Sequence, residues 1–234
     1  ERHHDDLAGI IVEPFQRLIP PKPGFLQGLR QLADEFGIPL IFDEVVTGFR
    51  FAYGGAQEFY GVTPDICTLG KAAAGGFPLT AVAGREDIMM HMDGGEVPAE
   101  DFMPQIGTLS GNPIAAVAGL KTLEILRRPG TYEAMRATGA TLKESLQRML
   151  DEAEIPARVT GEDVLFDVYF TDTEITDYRS TLTADSSTMG RFNEGVLERG
   201  IFKGDSKFYI SAAHKESDVE QTLNAFKETV EEMR

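Results

Sequence analysis

The sequence of 234 residues is poor in cysteine and in basic side chains. Its single cysteine, Cys67, excludes an intramolecular disulfide and any cysteine-rich metal site, and its apolar neighbours predict a small buried hydrophobe. The 22 basic residues face 38 acidic ones, which gives a formal net charge of −16. Because phosphate binding needs clustered lysine and arginine, this balance argues against a nucleic-acid or anionic-membrane partner.

Long apolar runs and targeting signals are also missing. No stretch is apolar enough to span a bilayer and no signal peptide is recognisable, so the default expectation is a cytoplasmic protein. The four histidines show no metal-ligand spacing, and no metal site is predicted.

The chain begins at Glu1, without a methionine, and almost at once enters a strand-like segment. We therefore expect it to be the later part of a longer protein.

The first half of the chain alternates short apolar runs with a helical pattern. Continuous apolar runs of this length are typical of buried strands in a parallel sheet, and residues 25–37 carry an apolar stripe of helical period that ends at a glycine. The alternation predicts an α/β fold with a mostly parallel sheet. The predicted strands are 7–15, 38–45, 65–70 and 79–84.

The second half predicts a smaller α+β domain. Pro129 and Gly130 interrupt a long helical stretch, and an amphipathic helix over 131–154 follows. Short strands then alternate with helices to the end of the chain. We expect two domains, over 1–128 and 129–234. The predicted strands of the second are 157–161, 164–171 and 208–213, and its later helices are 186–199 and 215–233.

Three charged residues fall where predicted strands end. Asp43 and Glu44 close one strand, and Lys71 follows the next, surrounded by small and apolar residues in "CTLGKAAAGGFPLTAVAG". Ligands of parallel sheets gather at this edge. A phosphate-binding loop is a poor explanation, because it needs a leading glycine five residues before its Gly-Lys pair and a hydroxyl after it. Asp65 and Ala72 stand at those two positions.

A pyridoxal phosphate (PLP) site fits these residue types better. Its chemistry needs a lysine amine to bind the cofactor aldehyde as a Schiff base and a carboxylate facing the pyridinium nitrogen. A buried Lys71 would be held in its neutral, nucleophilic form. The alternative is structural: Asp43 caps a turn and Lys71 extends to solvent. Composition and spacing alone leave both interpretations open.

The wording of several segments resembles a known family. These segments are "VEPF", "IFDEVVTGFR", "YGVTPDICTLGKAAAGGFPLTAVAGRED" and "GTLSGNPIAAVAG", followed more weakly by "GVLERGIF" and "YISAAHKESDVEQTL". Together they resemble the class III aminotransferases, and most closely the glutamate-1-semialdehyde aminomutase branch. The resemblance implies a fold-type I PLP-dependent transferase, in which these residues form part of the large domain and the small C-terminal domain.

The resemblance also implies roles for individual residues. Asp43 is expected to hold the pyridinium nitrogen, Val45 to pack on one face of the ring, and Lys71 to carry the cofactor and later move the substrate proton. Gly107 and Thr108 match the segment that binds the cofactor phosphate of a neighbouring subunit, which implies a homodimer.

Two further residues match the substrate side of the family site. Glu13 matches a glutamate that lines the site, although a carboxylate that satisfies backbone donors at a strand end explains it equally well. Arg50 is a candidate for the substrate carboxylate, with an exposed, solvated arginine as the alternative.

This sequence departs from the family pattern in two places. The turn that binds the cofactor phosphate within one subunit, and the aromatic residue stacked on the ring, have no match here. The aminomutase branch also carries an acidic gating residue before "SxAH", where this chain has Lys203 and Lys207, with Asp205 as a weak substitute.

Three hypotheses follow from these departures. The leading one is an aminotransferase that moves an amino group between an amine or amino acid and a carbonyl acceptor. The others are a 2,1-aminomutase and a non-catalytic fragment or partner subunit.

Overall fold

The structure is a computed structural model that describes residues 2–234. The chain forms two compact units. Unit 1 contains the residues up to Phe15 and Pro21–Arg128, and unit 2 contains Gln16–Pro20 and Pro129–Arg234. The short segment 16–20 therefore belongs with residues that follow it by more than a hundred positions.

Unit 1 is built on a four-stranded sheet. Its strands are β1 (Ile10–Val12), β2 (Leu40–Glu44), β3 (Ile66–Leu69) and β4 (Ala81–Gly84), in the order β1-β2-β3-β4. The first three run parallel, and β4 is antiparallel to β3. The predicted α/β fold with a mostly parallel sheet is confirmed.

One face of this sheet packs against helix α1 (Phe25–Phe36). The helix ends at Gly37, whose φ of 65° lies in the left-handed region that glycine adopts at little cost. The hydrophobic core between the helix and the sheet has these buried members: Leu26, Ala33, Leu40, Phe42, Val62 and Cys67. Burial raises the pKa of the Cys67 thiol, so Cys67 is the small buried hydrophobe that the sequence predicts.

The first strand differs from its prediction. Residues 7–15 were expected to form a fully buried strand, but β1 has only three residues and Ile11 is 66% exposed. Among the described residues, β1 lies at the edge of the sheet, and its one neighbouring strand is β2. An apolar run therefore does not distinguish an edge strand from a central one.

The remaining helices of unit 1 are α2 (Gly55–Tyr60), α3 (Glu86–Met89) and α4 (Pro113–Leu126), with 3-10 turns at His4–Asp6, Lys71–Ala74 and Met90–Met92. Asn112 caps α4, because its side-chain oxygen accepts hydrogen bonds from the backbone N–H groups of Ile114 and Ala115. Within residues 2–234, every helix is too short or too polar to cross a membrane.

Unit 2 packs helices against a three-stranded antiparallel sheet in the order β5-β6-β7. The third strand is shorter than predicted, with two residues in place of six. The elements of unit 2 are α5 (Thr131–Glu152), β5 (Arg158–Glu162), β6 (Leu165–Tyr169), α6 (Tyr178–Thr181), α7 (Ser186–Glu198), β7 (Phe208–Tyr209) and α8 (Glu216–Met233).

Candidate active site

Asp43 lies at the carboxyl edge of the sheet and is held there by two hydrogen bonds. It is directly opposite Thr68 in the β2–β3 register, and the Thr68 hydroxyl donates to Asp43 Oδ1 over 3.1 Å. The backbone N–H of Val45 donates to the same oxygen over 3.0 Å. Because side chains alternate along a strand, Asp43 points away from the face that carries Phe42 and the α1 core. The carboxylate is half-buried.

Glu44 points to the opposite face and is completely buried. Its carboxylate accepts hydrogen bonds from the Thr47 hydroxyl at 3.0 Å and from the Ala56 N–H at 2.5 Å. The backbone N–H and side-chain amide of Gln57 also donate to it, at 3.2 and 3.0 Å. Glu44 thus joins the end of β2 to the start of α2 and fixes the loop between them.

Lys71 follows β3 and opens a 3-10 turn, but it is not buried. The expectation of a desolvated lysine is wrong in this structure, because the side chain is exposed and every residue of the neighbouring strand β4 is exposed too. Within residues 2–234 its ammonium group makes no ion pair or hydrogen bond. Its backbone φ of 45° is strained for a residue with a side chain. Such strain is concentrated at functional sites.

Val45 and Gly70 bring the ends of β2 and β3 together. A Cβ built on Gly70 would lie 3.5 Å from Val45 Cγ1, so the Val45 side chain packs beside the residue that precedes Lys71. The 3-10 turn continues against α4, where a Cβ on Gly119 would lie 3.3 Å from the Ala73 carbonyl oxygen. The position of Lys71 is therefore set by close backbone packing.

Glu13 reaches the same edge from β1. Val12 is paired with Phe42, so Glu13 and Asp43 are the next residues on adjacent parallel strands. Arg50 lies in the loop after β2, half-buried, and its Nε donates to the Val46 carbonyl over 3.2 Å. Part of its hydrogen-bonding capacity is thus used by the local backbone.

Gly107 and Thr108 lie in an exposed loop before α4. The Ser110 N–H donates to the Gly107 carbonyl over 3.0 Å, which forms a turn around Thr108. Within the described part of the chain the Thr108 hydroxyl has no hydrogen-bond partner, and no contact joins it to Asp43 or Lys71. Glu13, Asp43 and Lys71 therefore lie at one sheet edge. Gly107 and Thr108 lie apart from them.

In the segment expected to hold a gating acid, Lys203 has a structural role. The Lys203 ammonium is buried and contacts the Asp167 carboxylate, with 2.9 Å between Nζ and each carboxylate oxygen. Asp205 is exposed. The prominent lysine of this segment is thus part of the core of unit 2.

Sequence reasoning missed the roles of Thr68 and Glu44. Thr68 matters through its register opposite Asp43, which a single sequence does not reveal. Glu44 was noticed only as a second carboxylate; the alternation of strand side chains could have assigned it to the core face. The edge thus presents a fixed carboxylate and an amine that has no partner within residues 2–234, both on short, packed connections. This arrangement suits covalent catalysis by an amine next to a cationic ring.

Comparisons with known proteins point to one family. The family model described as Aminotransferase class-III matches residues 1–230. A glutamate-1-semialdehyde 2,1-aminomutase from Pelotomaculum thermopropionicum is 42% identical over 97% of this chain and 54% of its own length. The crystal structure of an omega-transaminase from Sphaerobacter thermophilus is 34% identical with a TM-score of 0.92, over 100% of this chain and 54% of that one.

A solved transaminase with PLP bound is similar as well. It is 30% identical, with a TM-score of 0.86 over 99% of this chain and 54% of its own. The chain therefore spans about half the length of the relatives that it matches.

Proposed function

This chain belongs to the class III aminotransferase family. We propose that its function is that of a PLP-dependent aminotransferase. The reaction moves an amino group between an amine or amino acid and a carbonyl acceptor. One observation carries the proposal: Asp43, a carboxylate held by hydrogen bonds, and Lys71, an amine without a partner in residues 2–234, follow two adjacent parallel strands at the same sheet edge.

The residues present fit pyridoxal 5′-phosphate. Asp43 would face the ring nitrogen, Val45 would pack on the ring, and Lys71 would hold the cofactor through its amine. The fit rests on donor chemistry: Asp43 is fixed by Thr68 and the Val45 backbone, and the Lys71 amine has no competing partner in residues 2–234. When bound, the cofactor supplies an electron sink for the carbanion that forms at the substrate Cα.

The residues of this chain would contribute binding and proton transfer. A carboxylate at Asp43 keeps a nearby ring nitrogen protonated, because an opposite charge favours the charged form. Lys71, on its short turn after β3, would act as the base that takes the proton from the substrate Cα. Glu13 and Arg50 are proposed to line the substrate side of this edge.

The proposal includes an assembly and a location. Gly107 and Thr108 would bind the cofactor phosphate of a second subunit, so each site of a homodimer would need both chains. The loop is exposed, and the Thr108 hydroxyl has no partner in the part of the chain that the structure describes, which supports this role. A cytoplasmic location remains a prediction from the sequence.

Labelling tests the proposal directly. The protein, incubated with PLP and reduced with borohydride, should carry the cofactor on the peptide that contains Lys71. Lys71→Ala should abolish labelling and turnover, whereas Lys22→Ala, which removes another exposed lysine, should change neither. A label on any other lysine would contradict the assignment. Asp43→Asn should lower the transamination rate by orders of magnitude while some cofactor binding remains.

A 2,1-aminomutase is the second candidate, and the 42% identical aminomutase favours it. An aminomutase exchanges amino positions within one molecule, so it turns over without an added amino acceptor. Glutamate 1-semialdehyde supplied alone, with product followed over many turnovers, separates the two activities. At the place that the resemblance indicates for the gating acid, Lys203 is buried against Asp167, and Asp205, the weak substitute, is exposed.

The third candidate is a chain that needs another polypeptide region for activity. The chain spans about half of its relatives, and the exposure of Lys71 and β4 supports this candidate. Cofactor retention by this chain alone, compared with the chain plus the first half of the Pelotomaculum relative, tests it. Retention only in the second sample would favour it.

A further inference from the structure

Both hydrogen bonds that hold Asp43 end at the same carboxylate oxygen. Oδ1 accepts from the Val45 backbone N–H over 3.0 Å and from the Thr68 hydroxyl over 3.1 Å. Within residues 2–234, Oδ2 accepts no hydrogen bond and forms no ion pair. Among the described residues, the carboxylate therefore has two donors at one oxygen and none at the other.

Two other carboxylates of the same sheet use both of their oxygens. Glu44 accepts at both, from the start of α2 and from the loop before it. Asp65, just before β3, also accepts at both, from two arginines and from a backbone N–H of β2. Buried carboxylates with a structural role are satisfied in this way. Asp43 is half-buried, and its second oxygen is left to a ligand or to solvent.

Thr68 adds a second direction of support to Asp43. The bond from Val45 is an Asx turn, in which an aspartate side chain accepts from the backbone N–H two residues further on. It holds the carboxylate through its own segment alone. Thr68 donates from the neighbouring strand, because it lies directly opposite Asp43 in the β2–β3 register. Donors from two chain segments at Oδ1 restrict rotation of the carboxylate and thereby direct Oδ2.

The strand also fixes Thr68. Its neighbours along β3 belong to the α1 side of the sheet, since Cys67 is buried in that core and Leu69 packs against it. Alternation therefore places Thr68 on the face that carries Asp43. A β-branched side chain has few χ1 rotamers, so the hydroxyl keeps its direction. Valine has nearly the same shape without the hydroxyl, which allows the hydrogen bond to be removed with little change in packing.

We propose that Thr68 is a positioning residue, which holds Asp43 Oδ1 so that Oδ2 is the oxygen that meets the ring nitrogen of PLP. The inference rests on the proposed PLP-dependent function. It adds the atom of Asp43 that faces the cofactor and the residue that selects this atom. A carboxylate that is held in advance loses less freedom when its ligand binds, which strengthens binding. Thr68 acts through Asp43 and takes no part in proton transfer.

Two forms of the cofactor separate this role from a structural one. They are PLP and its 1-deaza analogue, in which a C–H group replaces the ring nitrogen. Both carry the aldehyde and the phosphate, so the difference between their dissociation constants reports the contact with the ring nitrogen. Thr68→Val should weaken PLP binding about 3–10-fold, the range expected when one side chain is no longer held in advance. It should leave binding of the analogue unchanged. Isothermal titration calorimetry measures both.

Thr68→Ser keeps the hydroxyl and should recover most of the affinity for PLP. The matched control is Thr63→Val, the same substitution at an exposed threonine of the same unit, and it should change neither dissociation constant. Urea denaturation checks that each variant is folded, and Thr68→Ala replaces Thr68→Val if the valine variant is not. Equal losses for both cofactor forms, or no loss for either, would overturn the proposal.

The wild type distinguishes a failure of the proposed function from a failure of this inference. The sample is the one that retains the cofactor, either this chain alone or this chain with the first half of the Pelotomaculum relative. If borohydride fixes no label on Lys71 in either sample, the proposed function fails and this inference fails with it. If Lys71 is labelled but PLP and the 1-deaza analogue bind equally well, the proposed function stands and the inference is refuted, because Asp43 then gains nothing from the ring nitrogen.

Discussion

Lys203 and Asp167 form an ion pair that is almost completely removed from solvent. Lys203 Nζ lies 2.9 Å from both carboxylate oxygens, and the two side chains are 3% and 2% exposed. The ammonium also donates to Asn193 Oδ1 over 2.8 Å and lies 4.8 Å from the centre of the Phe208 ring. Burial lowers the pKa of Lys203 and raises that of Asp167, and each partner's charge offsets part of the other's shift.

Removing one member of this pair should be far more harmful than removing both. Lys203→Met leaves a buried carboxylate without a cation and should lower the free energy of unfolding by about 3–5 kcal/mol. Adding Asp167→Leu should recover most of that loss, because two apolar side chains replace two buried charges. Urea denaturation of the three proteins measures the effect. A double variant as unstable as Lys203→Met would show that the pair itself stabilises the fold.

The same variant should change how stability depends on pH. The raised pKa of Asp167 means that the folded state holds its proton to a higher pH than the unfolded state does. Stability therefore falls as pH rises from about 4 toward the folded pKa. Lys203→Met removes the cation that limits this shift, so the fall should be steeper, approaching about 1.4 kcal/mol per pH unit. Urea midpoints between pH 4 and 7 test it, with Lys203→Met/Asp167→Asn expected to be flat.

Asp65 should contribute stability that acid removes. Burial raises the pKa of this carboxyl, but hydrogen bonds from the Leu40 N–H, Arg30 and Arg85 outweigh burial and lower it overall. A lowered folded pKa gives stability that is present above about pH 4 and is lost as pH falls further. Asp65→Asn should be less stable than wild type at pH 6 and nearly equal to it at pH 2.5. A constant difference across this range would contradict the charge-based explanation.

Glu44 should be essential for the loop between β2 and α2. Glu44→Gln replaces an acceptor oxygen with an NH2 group that faces other donors, and should cost about 3 kcal/mol of stability. Glu58→Gln is the control, because Glu58 is exposed and accepts from the Gly54 N–H in the same loop. Hydrogen exchange at Ala56 and Gln57 should speed up in Glu44→Gln alone. Unchanged protection there would mean that the loop is held by other contacts.

Hybrid dimers test the shared site around Thr108. Thr108→Ala should weaken PLP retention without unfolding the protein, since the residue is exposed and packs little. Mixed with Lys71→Ala subunits, it should regain part of the activity, because one site then combines an intact Lys71 with the neighbour's intact Thr108. Mass spectrometry must confirm subunit exchange. No recovery in verified hybrids would assign Thr108 to its own subunit or to no site.

The sequence predicts those parts of the fold that depend on local pattern. The helix ending at Gly37 and the strand ending at Glu44 appear close to their predicted bounds, because amphipathic period and glycine caps are local signals. The edge position of β1 and the two-residue length of β7 depend on tertiary neighbours. Lys71 shows the same limit: small flanking residues suggested burial, but burial requires neighbours, and β4 beside it is exposed.

The candidate site is predictable only in part, for the same reason. Asp43 and Lys71 could be assigned to one sheet edge because parallel strands share a direction. The role of Thr68 depends on strand register, which one sequence does not reveal. Strand alternation could assign Glu44 to the core face, but not the loop groups that donate to it.

The assignment of residues 16–20 to unit 2 has a consequence for dissecting the protein. The backbone passes between the two units three times, after Phe15, after Pro20 and after Arg128. A protease that cuts only at Pro129 would leave residues 16–20 covalently attached to the piece that carries unit 1, although they pack with unit 2. A recombinant piece that starts at Pro129 would also lack Leu18, whose side chain is almost fully buried. Subcloning the second unit thus requires the short upstream segment, supplied as a fused or added peptide.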